Sequence, residues 1–147
     1  MNEVVDTWNT IIAKYREANN GTLPDEELIV FRVFSFLVNT EMNSVRGAVY
    51  NLSPKLGSDQ HRWNHLRATA DAVSSIGDGE SAQLLLRAAE VFENLPEPLP
   101  RTWEELMNST GSQLSKDFWE DIESRISSIY ASLEAYTVTH LSSKNQQ

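Results

Sequence analysis

The chain has 147 residues, with 40% hydrophobic and 9% aromatic content, which is enough apolar material for one core and too much for a disordered tail. Acids outnumber bases 21 to 12 and the net charge is −9, which argues against direct nucleic-acid or anionic-membrane binding, because phosphate contacts need clustered Lys and Arg. Cysteine is absent, so disulfides, thiolate zinc sites and Cys nucleophiles are excluded.

The N-terminus, Met1-Asn2-Glu3-Val4-Val5-Asp6, has neither a basic nor an apolar leader segment, and no signal peptide is expected. The most apolar stretch, Leu28 to Val38, is 11 residues long, whereas a membrane span needs about 20. A cytoplasmic, soluble protein is therefore expected. Val4, Val5, Trp8, Ile11, Ile12 and Tyr15 recur at helical steps of three and four, and Asn19-Asn20-Gly21 closes that helix. Thr22-Leu23-Pro24-Asp25 starts a second helix, about Asp25 to Met42. It is apolar almost all round, which predicts a central, buried position. Arg46 to Leu52 reads as a short helix or turn stopped by Ser53-Pro54, and Lys55-Leu56-Gly57 as loop.

Ser58 can cap a third helix with Trp63, Leu66, Ala70, Val73 and Ile76 on one face, ended by Gly77. Asp78-Gly79-Glu80 starts the next, with Leu84, Leu85, Ala88, Ala89, Val91 and Phe92 inward. The alternating prolines of Leu95 to Pro100 impose an extended stretch, read as a stiff connector rather than a polyproline ligand. Thr102-Trp103-Glu104-Glu105 is a capping box opening a short helix through Met107, and Asn108-Ser109-Thr110-Gly111 breaks it. From about Gln113 to Leu141 the spacing Leu114, Phe118, Ile122, Ile126, Ile129, Leu133, Tyr136 gives one long amphipathic helix. The expectation is an all-α single domain over 1–141, of about six to seven helices, with a polar tail over 142–147. Phe31, Phe34, Val38, Ile76, Leu85, Phe92, Ile126 and Ile129 are expected in one core.

Catalytic chemistry is sparse. His61 and His65 stand at i and i+4, a spacing that lets two imidazoles share a metal, and Asp59 or Asp71 could complete such a site. The residues between them, Arg62-Trp63-Asn64, supply no general base, so a solvated pair is the plainer reading and no metal or cofactor is expected. Gly-rich phosphate loops and the G-x-S-x-G nucleophile signature are both missing. The chain reads as a non-enzyme.

Charge is unevenly placed. Residues 1–77 hold nine acids and seven bases, whereas residues 78–134 hold twelve acids and four bases. Asp117 and Asp121 are i, i+4, and Glu120 and Glu123 are i, i+3, so like charges repel on one helix by about 0.2–0.5 kcal/mol per pair. With Glu104 and Glu105 they form an anionic surface suited to a basic partner, and Trp119 is a candidate protein-binding anchor because only one of Phe118 and Trp119 is expected to face inward. Carboxylates at i, i+4 advance about 6 Å, against about 3.4 Å per nucleotide of a DNA strand, so phosphate mimicry is geometrically coarse.

The stretch Phe36-Leu37-Val38-Asn39-Thr40-Glu41-Met42-Asn43-Ser44, then Gly47 and Tyr50-Asn51, resembles the E-x-N-G-G-F…Y-x-N centre of a bacterial all-α family of unknown function that includes a dimeric DNA-mimic protein. Leu66 to Ala72, Ser75-Ile76-Gly77, Ala82 to Leu85 and Ala88 to Phe92 follow in the same order, so the resemblance covers about residues 28–95. Ser44-Val45-Arg46 replaces the double glycine, and one glycine remains at 47. The resemblance implies an acidic helical protein that binds a transcription regulator in place of DNA. The leading expectation is thus a non-enzymatic acidic protein that occludes a basic, nucleic-acid-binding surface of a partner such as a regulator, nuclease or toxin. The alternative is an immunity or antitoxin protein that plugs a toxin's active site, and the third is a small metal-dependent enzyme using His61 and His65. A homodimer is also expected, because Phe118, Trp119, Tyr130 and Tyr136 exceed what one buried stripe needs.

Overall fold

The computed structural model describes residues 3–17, 23–52, 64–95 and 100–142, and all of their regular structure is helical. The helix stop at Asn19-Asn20-Gly21, the Ser53-Pro54 stop, the Ser58 cap, His61, Trp63, the prolines at 96 and 98 and the tail beyond 142 lie outside the described residues, as does the side chain of Trp103.

Helix α1 (Glu3–Glu17) lies antiparallel to the first part of α2 (Asp25–Asn51), with Val4, Trp8 and Ile11 buried. Trp8 is fixed at both ends of its ring system. Its face meets Phe34 at 4.9 Å between centroids, and its indole N–H donates to Thr137 Oγ1 at 2.8 Å in the interior. Thr137 in turn donates to the Leu133 carbonyl, so no polar atom of this pair is orphaned.

The break expected between Met42 and Arg46 falls at Ser44, where φ is 69° and ψ 167°. The Ser44 hydroxyl accepts from the Gly47 amide at 3.3 Å and so caps the restarted helix. Redirected by this break, the second part of α2 buries Val45, Ala48, Val49 and Tyr50. A straight helix of that length would run about 40 Å, too far to stay on the core of a small domain.

Helix α3 (Asn64–Ser75) ends in a Schellman motif. Gly77 takes φ 98°, Asp78 N donates to Val73 O and Gly77 N to Ser74 O. Asp78 then caps α4 (Gly79–Glu93) by accepting from Ser81 N at 3.2 Å, so one residue closes a helix and opens the next. The two helices pack closely because their contact residues are small: Ala70, Ala72, Ala82, Ala88 and Ala89 are buried. Helix α5 (Trp103–Thr110) forms half of the expected capping box, Thr102 Oγ1 accepting from Glu105 N, while the Glu105 carboxylate reaches one residue further back and accepts from Arg101 N at 2.7 Å.

The C-terminal helix is 26 residues long and bent. It begins at Lys116 rather than Gln113, because Ser115 caps it by accepting from Phe118 N. Its halves, α6 (Lys116–Ser124) and α7 (Ile126–Thr137), meet at Arg125, and a π turn over Val138–Ser142 follows. Ser124 Oγ donates to the Asp121 carbonyl, and Arg125 N reaches Ile122 O at i−3, so the ladder tightens where serines compete with it. The bend rests on the start of α4: Arg125 pairs with Glu80 at 2.9 Å, and Ser128 donates to Asp78 Oδ2.

Helix α2 sits at the centre, against α1, α3, α6 and α7. It is long and apolar enough to cross a membrane on length and composition alone, a property it shares with the core helices of helical domains. Burial on it is one-sided, however. Val30, Val33, Phe36 and Leu37 are buried, whereas Phe31, Phe34 and Val38, expected in the core, are only partly buried, as is Ile126, and Phe31, Phe34 and Ile126 pack against the core from its margin. Ile76, Leu85, Phe92 and Ile129 are buried as expected.

Candidate functional site

The acidic face is carried by α6. Phe118, Trp119 and Ile122 occupy its buried arc, which leaves Asp117, Glu120, Asp121 and Glu123 exposed on the remainder of the helix. Ser115 as cap starts the helix so that Asp117 stands in its first turn, where a carboxylate is favoured by the helix dipole. Two of the four acids are partly neutralised. Lys116 reaches Glu120 at 3.7 Å, and Arg125 reaches Asp121 at 3.3 Å while also holding Glu80. These hydrogen bonds, the one to Glu80 foremost, raise the Arg125 pKa above its usual value. Asp117 and Glu123 form no ion pair among the described residues. Glu104 and Glu105 are exposed on α5, a separate helix, and Glu105 spends one oxygen on its capping bond. These acids are exposed, on the two helices to which the sequence assigns them.

Trp119 is not a protruding anchor. It is 7% exposed, edge-on to Phe118 at 5.1 Å and to Tyr50 at 5.7 Å, and the Arg46 guanidinium lies 5.2 Å above its ring. Phe118 is equally buried, with the Arg87 guanidinium 5.8 Å from its ring. Both neighbours face inward because α6 rests on two helices at once, Trp119 toward α2 and Phe118 toward α4. The aromatic surplus of the C-terminal helix is likewise used within the chain. Tyr130 lies near Trp8 and donates to Glu41 at 2.5 Å, and Tyr136 meets the His140 ring in a tilted contact at 4.2 Å.

His65 is exposed on α3, and no group of three metal-binding side chains occurs among the described residues. The other ion pair of note, Arg67 with Glu93 at 2.7 Å, ties α3 to α4. The hydrogen bond from Arg67 lowers the Glu93 pKa, and the same bond raises that of Arg67.

A second concave region escaped the sequence reading. Between α1 and α2 runs an open groove of about 800 Å³, with Phe31, Phe34, Val38 and Met42 along one side. Tyr15 stacks on Phe31 at 3.9 Å at one end, beside Arg16. At the other end Asn39 Oδ1 accepts from both Asn43 and Asn51, which bridges the break at Ser44. Its signal, an i, i+3, i+4 stripe on α2, was present in the sequence but is the same signal a buried face gives.

No protein-family description matches the chain, and neither a curated protein nor a solved structure is significantly similar to it.

Proposed function

We propose that the chain is a non-enzymatic binding protein whose α6 carboxylates occlude a basic, nucleic-acid-binding surface on a partner protein. The observation that carries this reading is the exposed set Asp117, Glu120, Asp121 and Glu123 on a helix seated on the core by a buried Phe118–Trp119 pair, with two of the four acids free of any described cation. An array of exposed like charge raises encounter rates with an oppositely charged partner and sets its register. The proposed kinship with the DNA-mimic family draws support from Ser44. It stands where the family motif has its first glycine, and its φ of 69° is one that glycine adopts freely. Trp119, the candidate protein-binding anchor, is buried, so it lends no support to the toxin-plug alternative.

Affinity capture on immobilised protein tests the proposal. A basic nucleic-acid-binding protein should be retained at low salt and released as ionic strength rises, because exposed charge is screened beyond about 8–10 Å. The quadruple variant Asp117→Lys, Glu120→Lys, Asp121→Lys, Glu123→Lys should lose it while keeping a cooperative melt. Reversal of Glu3, Asp6 and Glu17 is the matched control and should retain it. Equal loss in both variants would reduce the effect to net charge, and no loss in either would make the α6 face ordinary solvated surface.

A further inference from the structure

The stripe on α2 poses a packing problem that the acidic face does not. Phe31, Phe34, Ser35, Val38, Asn39 and Met42 follow one another at helical spacing over about 18 Å, and α1 covers them only in part, with Tyr15 on Phe31 and Trp8 beside Phe34. Met42, at the open end, is 76% exposed. Residues 25–42 are apolar almost all round, yet the described residues bury one side of them fully and the groove side only partly.

We propose that a second copy of this chain covers the groove, the α1–α2 hairpins of two copies packing face to face as a four-helix bundle. Two features select this occupant. The first is charge: none of the thirteen residues lining the groove is acidic, in a chain where acids outnumber bases 21 to 12. Two copies of net charge −9 can therefore approach here without setting carboxylate against carboxylate across the groove. The second is that the two ends of the groove complement each other. One end carries the Arg16 guanidinium, the single charged group of the lining, which makes no ion pair among the described residues. The other carries the carboxamides of Asn39, Asn43 and Asn51, already oriented by their mutual hydrogen bonds. A two-fold axis near Val38 sets each copy's Arg16 against the other copy's amide end, giving five N–H donors carbonyl acceptors to meet, with the aromatic stripes between them.

The size of the face sets the strength. Two adjacent helices, each about 10 Å across and about 22 Å long, offer on the order of 450 Å² per copy, about 900 Å² in total, which is the size of a weak, transient interface. Dissociation constants on the order of 10–100 µM are therefore expected.

The test combines sedimentation equilibrium with cross-linking, and the absence of native cysteine makes the second clean. Wild-type protein should show a monomer–dimer equilibrium in that concentration range. Met42→Glu changes a side chain too exposed to affect folding and should weaken the dimer at least tenfold; Arg16→Glu should weaken it too. Under mild oxidation Val38→Cys, near the axis, should give a disulfide-linked dimer, whereas Ser124→Cys on the acidic face should not. A wild-type monomer throughout that range would overturn the proposal. So would a dimer indifferent to both Met42→Glu and Arg16→Glu, or equal cross-linking at 38 and 124, since either would place the contact on another face.

Discussion

Ser44 holds the one positive φ found on a non-glycine residue among those described, and with ψ near 167° it lies in a region that is essentially glycine's alone. Such a conformation costs about 1–3 kcal/mol and persists only where its surroundings fix it. Here they do so on both flanks: Asn39 is tied to Asn51 across the break, and Glu41 is tied to Tyr130 of α7. Ser44→Gly should relieve that strain while losing a few tenths of a kcal/mol of capping and about 0.5–1 kcal/mol to the freer unfolded chain. The expected outcome is a net gain of about 0.5–1.5 kcal/mol in a denaturant titration. Ser44→Ala keeps the strain and loses the cap, and should cost about 1 kcal/mol. If the two variants shift stability in the same direction, the conformation at 44 carries no strain.

At the level of elements, α6 shows how a helix with an acidic exterior is held in place. Its aromatic pair packs against both α2 and α4, and the Arg46 and Arg87 guanidinium groups lie over the faces of the rings. Trp119→Ala should therefore destabilise the fold by about 3–5 kcal/mol through lost burial and a residual cavity, a large share of a small domain's stability. A thermal melt checks this directly. An exposed anchor in the same position would have left the melting temperature almost unchanged. Legibility also varies from helix to helix. Gly77, Asp78 and Thr102 mark helix ends in the sequence and do so in the structure, because a cap is a contact between residues two to five apart. The C-terminal helix starts three residues later than its apolar rhythm predicts, since Gln113 to Ser115 continue that rhythm but are used for a turn and a cap.

On the scale of the whole molecule, hydrogen bonding between distant segments ties stability to pH. Burial, then the bond to Glu41, raises the Tyr130 phenol well above its usual value of about 10. The folded state thus binds a proton that the unfolded state releases first. The Tyr130 contribution is fully present below pH about 10 and declines as pH rises beyond it. Glu93 behaves in the opposite sense: its lowered pKa gives a contribution present at neutral pH and lost on acidification below the usual carboxylate range. Melting temperatures of the wild type should fall more steeply between pH 9.5 and 11 than those of Tyr130→Phe, these limits being set by the ordinary phenol value of about 10. At pH 7 the same substitution should cost about 1 kcal/mol, in keeping with one partly exposed hydrogen bond to a carboxylate. Parallel alkaline limbs for the two proteins would remove Tyr130 from this account.

The sequence by itself determined the all-α class, the order of helices, the interruption between Met42 and Arg46, and the wet position of the α6 acids. Each of these follows from interactions within a turn or two of chain, where helical period, capping side chains and charge repulsion act with little regard to the rest of the molecule. The tertiary structure alone decided which apolar faces were covered. Periodicity shows that Phe31, Phe34 and Val38 share a face, just as it shows that Phe118 and Trp119 are neighbours on another. What each face meets depends on segments far away in the chain. Tyr50 and Arg46 enclose Trp119, while α1, occupied by its own contact through Trp8 and Thr137, stops short of closing over Val38 and Met42.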